Sequence, residues 1–287
     1  MKKHIILILS LMSVCVVHVF AQDKAFTEVA RLFFDPSKGG EGVPYVASTL
    51  EPKAVPTDPV ANVEELVVRL DAVDCTTLVE YVTAERLALQ ARHATQMPDT
   101  REEMPRDSLF LHYLQALRYR GGERGNYATR KHYFSEWISD GEQQGLVREV
   151  TQELAGAVKE QRTINFMSRN VKYYPQLQAC RRLQQEVMAV EQELSTHIYY
   201  YIPSAQIDRA CPQLQHGDIV VFVTDTPGLD VQHTGFVWWP DPAVGAPRLY
   251  HASSAKKCVT LDEGTLQEYA QRVKHCVGIR VVRVRKP

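Results

Sequence analysis

From Ile198 onward the chain reads as a succession of short strands, and this limits its fold more than any other feature. Ile198-Tyr199-Tyr200-Tyr201-Ile202 is rich in β-branched and aromatic residues and stops at Pro203. Ile219 to Val223, opened by Gly217-Asp218, is apolar at every position, as in a central strand covered on both faces. Strands are also predicted over His233–Trp239, Arg248–Ala252, Cys258–Leu261 and Val277–Val284. Pro227-Gly228, Pro240-Asp241-Pro242 and Gly245-Ala246-Pro247 punctuate them. Helical patterns come first and strands afterwards, so the order is α+β and not alternating βαβ. Neither an internal repeat nor a low-complexity segment is present, and one mature domain over residues 22–287 is expected.

Ahead of the sheet, Ala25 to Phe34 predicts a short helix ended by Asp35-Pro36 and Gly39-Gly40. Gly42-Val43-Pro44-Tyr45-Val46 and a proline-rich loop follow, and the apolar run Val63 to Leu70 leads into Val73-Asp74-Cys75. Asp74 is placed to cap a helix that begins at the cysteine. Leu78, Val82 and Leu89 carry its pattern, with Glu80 and Glu85 among the polar positions, to an end near Gln96-Met97-Pro98. A second helix begins at Asp107-Ser108, bears Leu111, Leu114 and Leu117, and stops at Gly121-Gly122. His132 to Ile138 is an aromatic helix or turn closed by Asp140-Gly141, and Thr163 to Ser168 reads as a loop. Leu183, Val187, Val190 and Leu194 define an amphipathic helix with Arg181, Arg182, Glu186, Glu191 and Glu193 on its solvated face.

In a chain of 287 residues with net charge -1, nothing suggests a nucleic-acid partner. Met1-Lys2-Lys3-His4, the apolar run Ile5 to Phe20 and Val19-Phe20-Ala21 predict a signal peptide over residues 1–21, leaving no membrane span after cleavage. The bulky Val14 before Cys15 argues against a lipidated cysteine. An exported, periplasmic chain would keep Cys75, Cys180, Cys211, Cys258 and Cys276, an odd number that leaves at least one thiol outside any internal disulfide.

Cys75 is the residue whose chemistry calls for partners. A free thiol with pKa about 8.5 is only a few per cent ionised at neutral pH. A helix N-terminus contributes about 0.3–1 kcal/mol, less than one pKa unit, so a nucleophile needs a second activator. His233 at the start of one strand and His251 at the end of the next can supply base and orienter if those strands are antiparallel neighbours. The competing readings are inert packing of Cys75, hydrogen-bonded core histidines, and zinc held by Cys75, His233 and His251. His132 is a further candidate without an evident partner.

The set Asp74-Cys75-Thr76-Thr77, Gly217-Asp218-Ile219-Val220, His233-Thr234-Gly235-Phe236-Val237 and His251-Ala252-Ser253-Ser254 resembles the NlpC-type cysteine hydrolases of the papain-like superfamily. A narrower branch, the N-acetylmuramoyl-L-alanine amidase-like family, is suggested by several other stretches. They are Pro44-Tyr45-Val46 with Thr49-Leu50-Glu51, His132-Tyr133-Phe134 with Trp137-Ile138, Ile164 to Ser168, and Gly228-Leu229-Asp230-Val231. The resemblance runs from about Val43 to Arg283. It implies a papain-like antiparallel sheet packed on the cysteine-bearing helix, with additional helices inserted before the sheet. It also implies Cys75 as nucleophile, His233 as general base and acid, His251 as the third polar residue, and Tyr45 beside the oxyanion. Asp230 and Ser253 either touch substrate or shape loops.

The activity implied is hydrolysis of the amide between N-acetylmuramic acid and L-alanine in peptidoglycan fragments, with no cofactor and no resident metal. The alternatives are a D-glutamyl endopeptidase of the stem peptide and a non-catalytic wall-binding protein. Two departures from the broader superfamily stand out: Thr76-Thr77 replaces the usual Ser-Gly, and the loop between His233 and His251 is longer and proline-rich.

Overall fold

The structure is a computed structural model that describes residues 24–48, 50–52, 54–96, 107–240 and 245–285. The signal-peptide segment with Cys15, Thr49, the Met97-Pro98 end of the cysteine helix and Asp241-Pro242 lie outside the described residues. The sheet has eight strands: β1 Val147–Glu149, β2 Val158–Glu160, β3 Tyr199–Pro203, β4 Ile219–Thr224, β5 Val231–Trp238, β6 Arg248–Ser253, β7 Cys258–Thr265 and β8 Cys276–Val284. Its order is β2-β3-β8-β4-β5-β6-β7, with β1 also on β8, and every pair is antiparallel. β4 is central and buried throughout, as its unbroken apolar run requires. β1 and β2 were not expected, because three residues are too few to show alternation.

The helices are α1 (residues 24–30), α2 Cys75–Thr95, α3 Ser108–Arg118, α4 Phe134–Gln143, α5 Phe166–Arg169, α6 Pro175–Ala179, α7 Arg181–Thr196, α8 Ile207–Ala210 and α9 Leu266–Arg272. α1 gives way to a turn at Arg31, short of the predicted Phe34. The stretch Thr163–Ser168, expected as a loop, contains the start of α5. α9 was not anticipated, although Thr265-Leu266-Gln267-Glu268 forms a capping box that marks its start.

α2 is the pillar of the fold. Asp74 Oδ1 accepts from Thr77 N at 2.8 Å while Thr77 Oγ1 accepts from Asp74 N at 2.9 Å, closing a capping box one residue before Cys75. Leu78, Val79 and Val82 are fully buried, each contributing roughly 1.5–3 kcal/mol of apolar transfer. Glu80 and Glu85 occupy no solvated stripe: both are buried. The sheet covers one side of α2 and α3 another, so its charges are held by partners instead of water. Arg118 Nε donates to Glu80 Oε2 at 2.8 Å, Arg92 Nη2 to Glu85 Oε1 at 2.6 Å, and Arg86 Nη1 to the Gly217 carbonyl at 2.8 Å.

α4 runs through Asp140-Gly141, which does not close it. Gly141 is there for contact: a Cβ would come within 2.8 Å of Val147 Cγ2 on β1. The helix ends where Gly145 takes φ +73°. On α7, Leu183, Val187 and Leu194 are buried as their spacing predicts, but Glu191 is buried too. Its Oε1 accepts from Tyr133 Oη at 2.6 Å and from Ser168 N at 3.0 Å, which fastens α5 and the Tyr133 segment to α7.

Three apolar clusters result. One lies between α1, α2, α3 and the sheet face bearing Phe236, Trp238, Tyr250 and Ala252. A second lies on the opposite face, where Leu266 and Tyr269 of α9 meet Val220, Phe222, Val237 and Leu249. The third knits the inserted helices through Tyr133, Met167, Leu177, Leu183 and Leu194. Among the described residues no helix is long and apolar enough to cross a membrane, and all five described cysteines are free thiols.

Candidate active site

Cys75 opens α2 and is partly exposed. The backbone N–H groups of Thr234 and Thr76 and the Thr76 hydroxyl face its sulfur and favour the thiolate, but burial and the adjacent Asp74 carboxylate outweigh them, and the thiol is pushed up to about 12. The helix end therefore does not produce a standing thiolate in the free protein.

His233 stands on β5 beside an irregularity in the β4–β5 ladder: Phe222 pairs with His233 and Val223 with Val231, so Gln232 is an extra residue. Such a bulge re-aims its neighbours. On the other side, Phe236↔Tyr250, Val237↔Leu249 and Trp238↔Arg248 set the β5–β6 register. Continued one step, it puts Gly235 across from His251, with His233 diagonal to it. The two rings reach along the sheet and meet, His233 Nε2 to His251 Nδ1, at 2.7 Å, with centroids 4.9 Å apart and planes at 84°.

Both imidazoles are held neutral. Burial, then the neighbouring His251, lowers the pKa of His233 to about 3. Burial, then the charges of Lys256 and Arg272, lowers His251 to about 3. Tyr269, on the unforeseen α9, packs against both, 5.9 Å from the His233 ring and 5.1 Å from that of His251.

Cys75 and His233 line one cavity of about 100 Å³, roofed by Tyr133, Phe134 and Trp137. His132 lines it as well, but its Nε2 is bonded to the Tyr127 carbonyl at 2.8 Å, and burial, then Arg130, holds it neutral, so it serves as wall. Asp230 also lines this cavity, with its carboxylate occupied: Oδ2 accepts from Ser135 N and Oδ1 from Val231 N, both at 2.7 Å. It clasps α4 to the start of β5. Tyr45 is held by Tyr45 N to Lys257 O (2.8 Å) and by Val73 N to Pro44 O (3.0 Å), two residues before the nucleophile candidate. Burial, then the Cys75 and Asp74 charges, raises its phenol pKa, which places it within electrostatic reach of the sulfur. Ser253 sits at the end of β6, accepts from Lys256 N at 3.2 Å, and lines a second cavity with His233 and His251. Among the described residues no three His, Cys, Asp or Glu side chains are grouped to hold a metal ion.

Fold and site together define an α+β protein with a cysteine at a helix N-terminus and a paired histidine couple on neighbouring strands of an antiparallel sheet. The chain belongs to the AmiA-like, N-acetylmuramoyl-L-alanine amidase-like family, whose pattern matches residues 37–279. Its fold is similar to crystal structures of an N-acetylmuramoyl-L-alanine amidase from Bacteroides uniformis ATCC 8492. One is 33% identical with a TM-score of 0.76, covering 93% of this chain and 100% of that one. Another is 34% identical with a TM-score of 0.77 over the same shares. A protein from Legionella pneumophila str. Philadelphia 1 shares the fold at 18% identity, with a TM-score of 0.59 over 92% of this chain and 89% of that one. No curated protein matches at a significant level.

Proposed function

We propose that the protein is an exported thiol amidase that cleaves the amide joining the lactyl group of N-acetylmuramic acid to L-alanine in peptidoglycan fragments. The observation that carries this reading is the 2.7 Å contact between His233 Nε2 and His251 Nδ1. With Nε2–H donating to His251, Nδ1 of His233 is the basic nitrogen, and His233 shares its cavity with Cys75.

The free protein then rests as neutral thiol and neutral imidazole. As the carbonyl carbon approaches, the Cys75 proton passes to His233 Nδ1 while the sulfur attacks. Moving both charges together avoids leaving either one alone in a poorly solvated cleft. The N–H groups of the first turn of α2, with Tyr45 beside them, would stabilise the oxyanion. His233, now imidazolium, gives its proton to the leaving nitrogen, and the C–N bond breaks to leave a lactyl thioester. Water, deprotonated by His233, hydrolyses that thioester and restores the thiol. His251 keeps the His233 ring in one orientation and tautomer throughout. The aromatic roof formed by Tyr133, Phe134 and Trp137 narrows the cleft to small wall fragments.

The test is digestion of defined muropeptides with products read by mass. Sugar plus intact peptide is expected, with loss of product in Cys75→Ala. Sugar that keeps an L-alanyl-D-glutamyl dipeptide, with the rest of the stem released, would point to the endopeptidase, and binding without product to a wall-binding protein. Activity surviving in Cys75→Ala would rule out the thiol mechanism.

A further inference from the structure

A second cavity, of about 550 Å³, opens beside the first, and the two share Gln232 and His233. They meet at the histidine, and their walls are unlike. The Cys75 side is aromatic, and its one lysine, Lys131, is buried and committed to Asp140 and the Ala116 carbonyl. The His251 side carries Lys256 and Arg272, the carboxylates Asp262 and Glu263, and the hydroxyls of Ser253 and Ser254.

We infer that this second cavity is the leaving-group subsite and that Lys256 and Arg272 bind a carboxylate of the departing peptide. The inference rests on the amidase reading, which makes the leaving group an acidic peptide whose amine takes its proton from His233. That peptide must therefore lie on the histidine side of the bond. Both cations already meet carboxylates there, and the Lys256 pair is open to exchange. Lys256 Nζ holds Glu263 at 2.7 Å, but the Glu263 side chain is 85% exposed and that of Lys256 45%, so the pair is weak. Arg272 Nη2 holds Asp262 at 2.7 Å and its guanidinium lies 5.2 Å from the Tyr269 ring, which fixes it as a pre-oriented fork. The charges of Lys256 and Arg272 both bear on His251, which places them close to the reacting centre. In this arrangement Glu263 is a placeholder that a substrate carboxylate displaces from Lys256.

The experiment compares N-acetylmuramoyl-L-alanyl-D-glutamate with its diamide, as substrates of the wild-type chain and as ligands of Cys75→Ala by calorimetry. The acid is expected to have a KM and a Kd about tenfold lower than the diamide, the scale of one charge-assisted hydrogen bond. In Lys256→Met that ratio should collapse towards one, and in Lys256→Glu it should invert. Lys256 lies in an exposed turn, so neither change threatens the fold. Equal handling of acid and diamide by the wild type, or an acid preference that survives Lys256→Glu, overturns the subsite while leaving the amidase reading intact. Failure to cleave either compound overturns both.

Discussion

Gly235 of β5 stands across the ladder from His251 of β6, and a Cβ on it would lie 2.9 Å from His251 Cβ and 2.6 Å from the Tyr250 carbonyl oxygen. The bare backbone there allows the strands to close and the His233 ring to reach diagonally to its partner. Gly235→Ala should force the strands apart at this point. We expect a loss of about 1–3 kcal/mol of stability, the usual cost of overpacking, seen as a lower denaturation midpoint. Hydrolysis should fall further than stability alone explains, because the histidine contact is disturbed in the molecules that remain folded. An alanine variant with wild-type kcat would refute the link between register and histidine pairing.

In the proposed mechanism His251 acts through His233. His251→Ala should lower kcat by about 10²–10⁴-fold, the range for removing an orienting partner or a proton-transfer group, with little change in KM. His251→Asn, whose amide oxygen can still accept from Nε2–H, should recover part of that loss. Steady-state kinetics on one muropeptide tests both, and equal activity in Ala and Asn variants would count against an orienting role.

Because burial pushes Cys75 up to about 12, the free protein should react slowly with iodoacetamide at pH 7, with a rate that climbs steadily through alkaline pH. His233→Ala should slow the reaction near neutrality by removing the base. A fast, pH-independent plateau between pH 6 and 8 would instead reveal a standing thiolate–imidazolium pair.

The buried histidines also set an acid limit on stability. His233 and His251 are lowered to about 3 and His216 to about 4, against an ordinary 6.5 in the unfolded chain. Between these limits the unfolded chain binds more protons, so stability is fully present above about pH 6.5 and is lost as pH falls below it. Glu64 and Glu136, raised by burial, work in the opposite sense, adding stability as pH falls through their raised values towards the ordinary carboxylate range. The unfolding free energy from urea titration should therefore drop from pH 7 to pH 5, by roughly 1–2 kcal/mol for His251, the most buried of the three, and by less for His233 and His216. Replacing His251 with Asn should flatten the curve, and a profile already flat between pH 5 and 7 would contradict the burial argument.

Asp230 tests the distinction between touching substrate and shaping the wall. With both oxygens on backbone amides, Asp230→Ala leaves the N–H groups of Ser135 and Val231 without their acceptor. A loss of about 1–3 kcal/mol is expected, and its main effect on turnover should come through displacement of His233. A variant of unchanged stability with a raised KM would make Asp230 a substrate contact instead.

The local features of the protein were legible in one dimension. Asp74 announced the capped start of α2, the unbroken Ile219–Val223 run announced the central strand, and helices before strands pointed to the α+β class, because each depends on neighbours in sequence. Cys75, His233 and His251 could be nominated because thiol chemistry demands a base and an orienter. What the tertiary structure alone decided is how those groups are solvated and aimed. Burial by elements far apart in the chain keeps Cys75 a thiol and the histidines neutral, and it turns Glu80, Glu85 and Glu191 from surface charges into paired interior ones. The extra residue Gln232, the bare Gly235 and the ring of Tyr269 set the meeting of His233 and His251 through strand register and packing, which no periodicity in the sequence encodes.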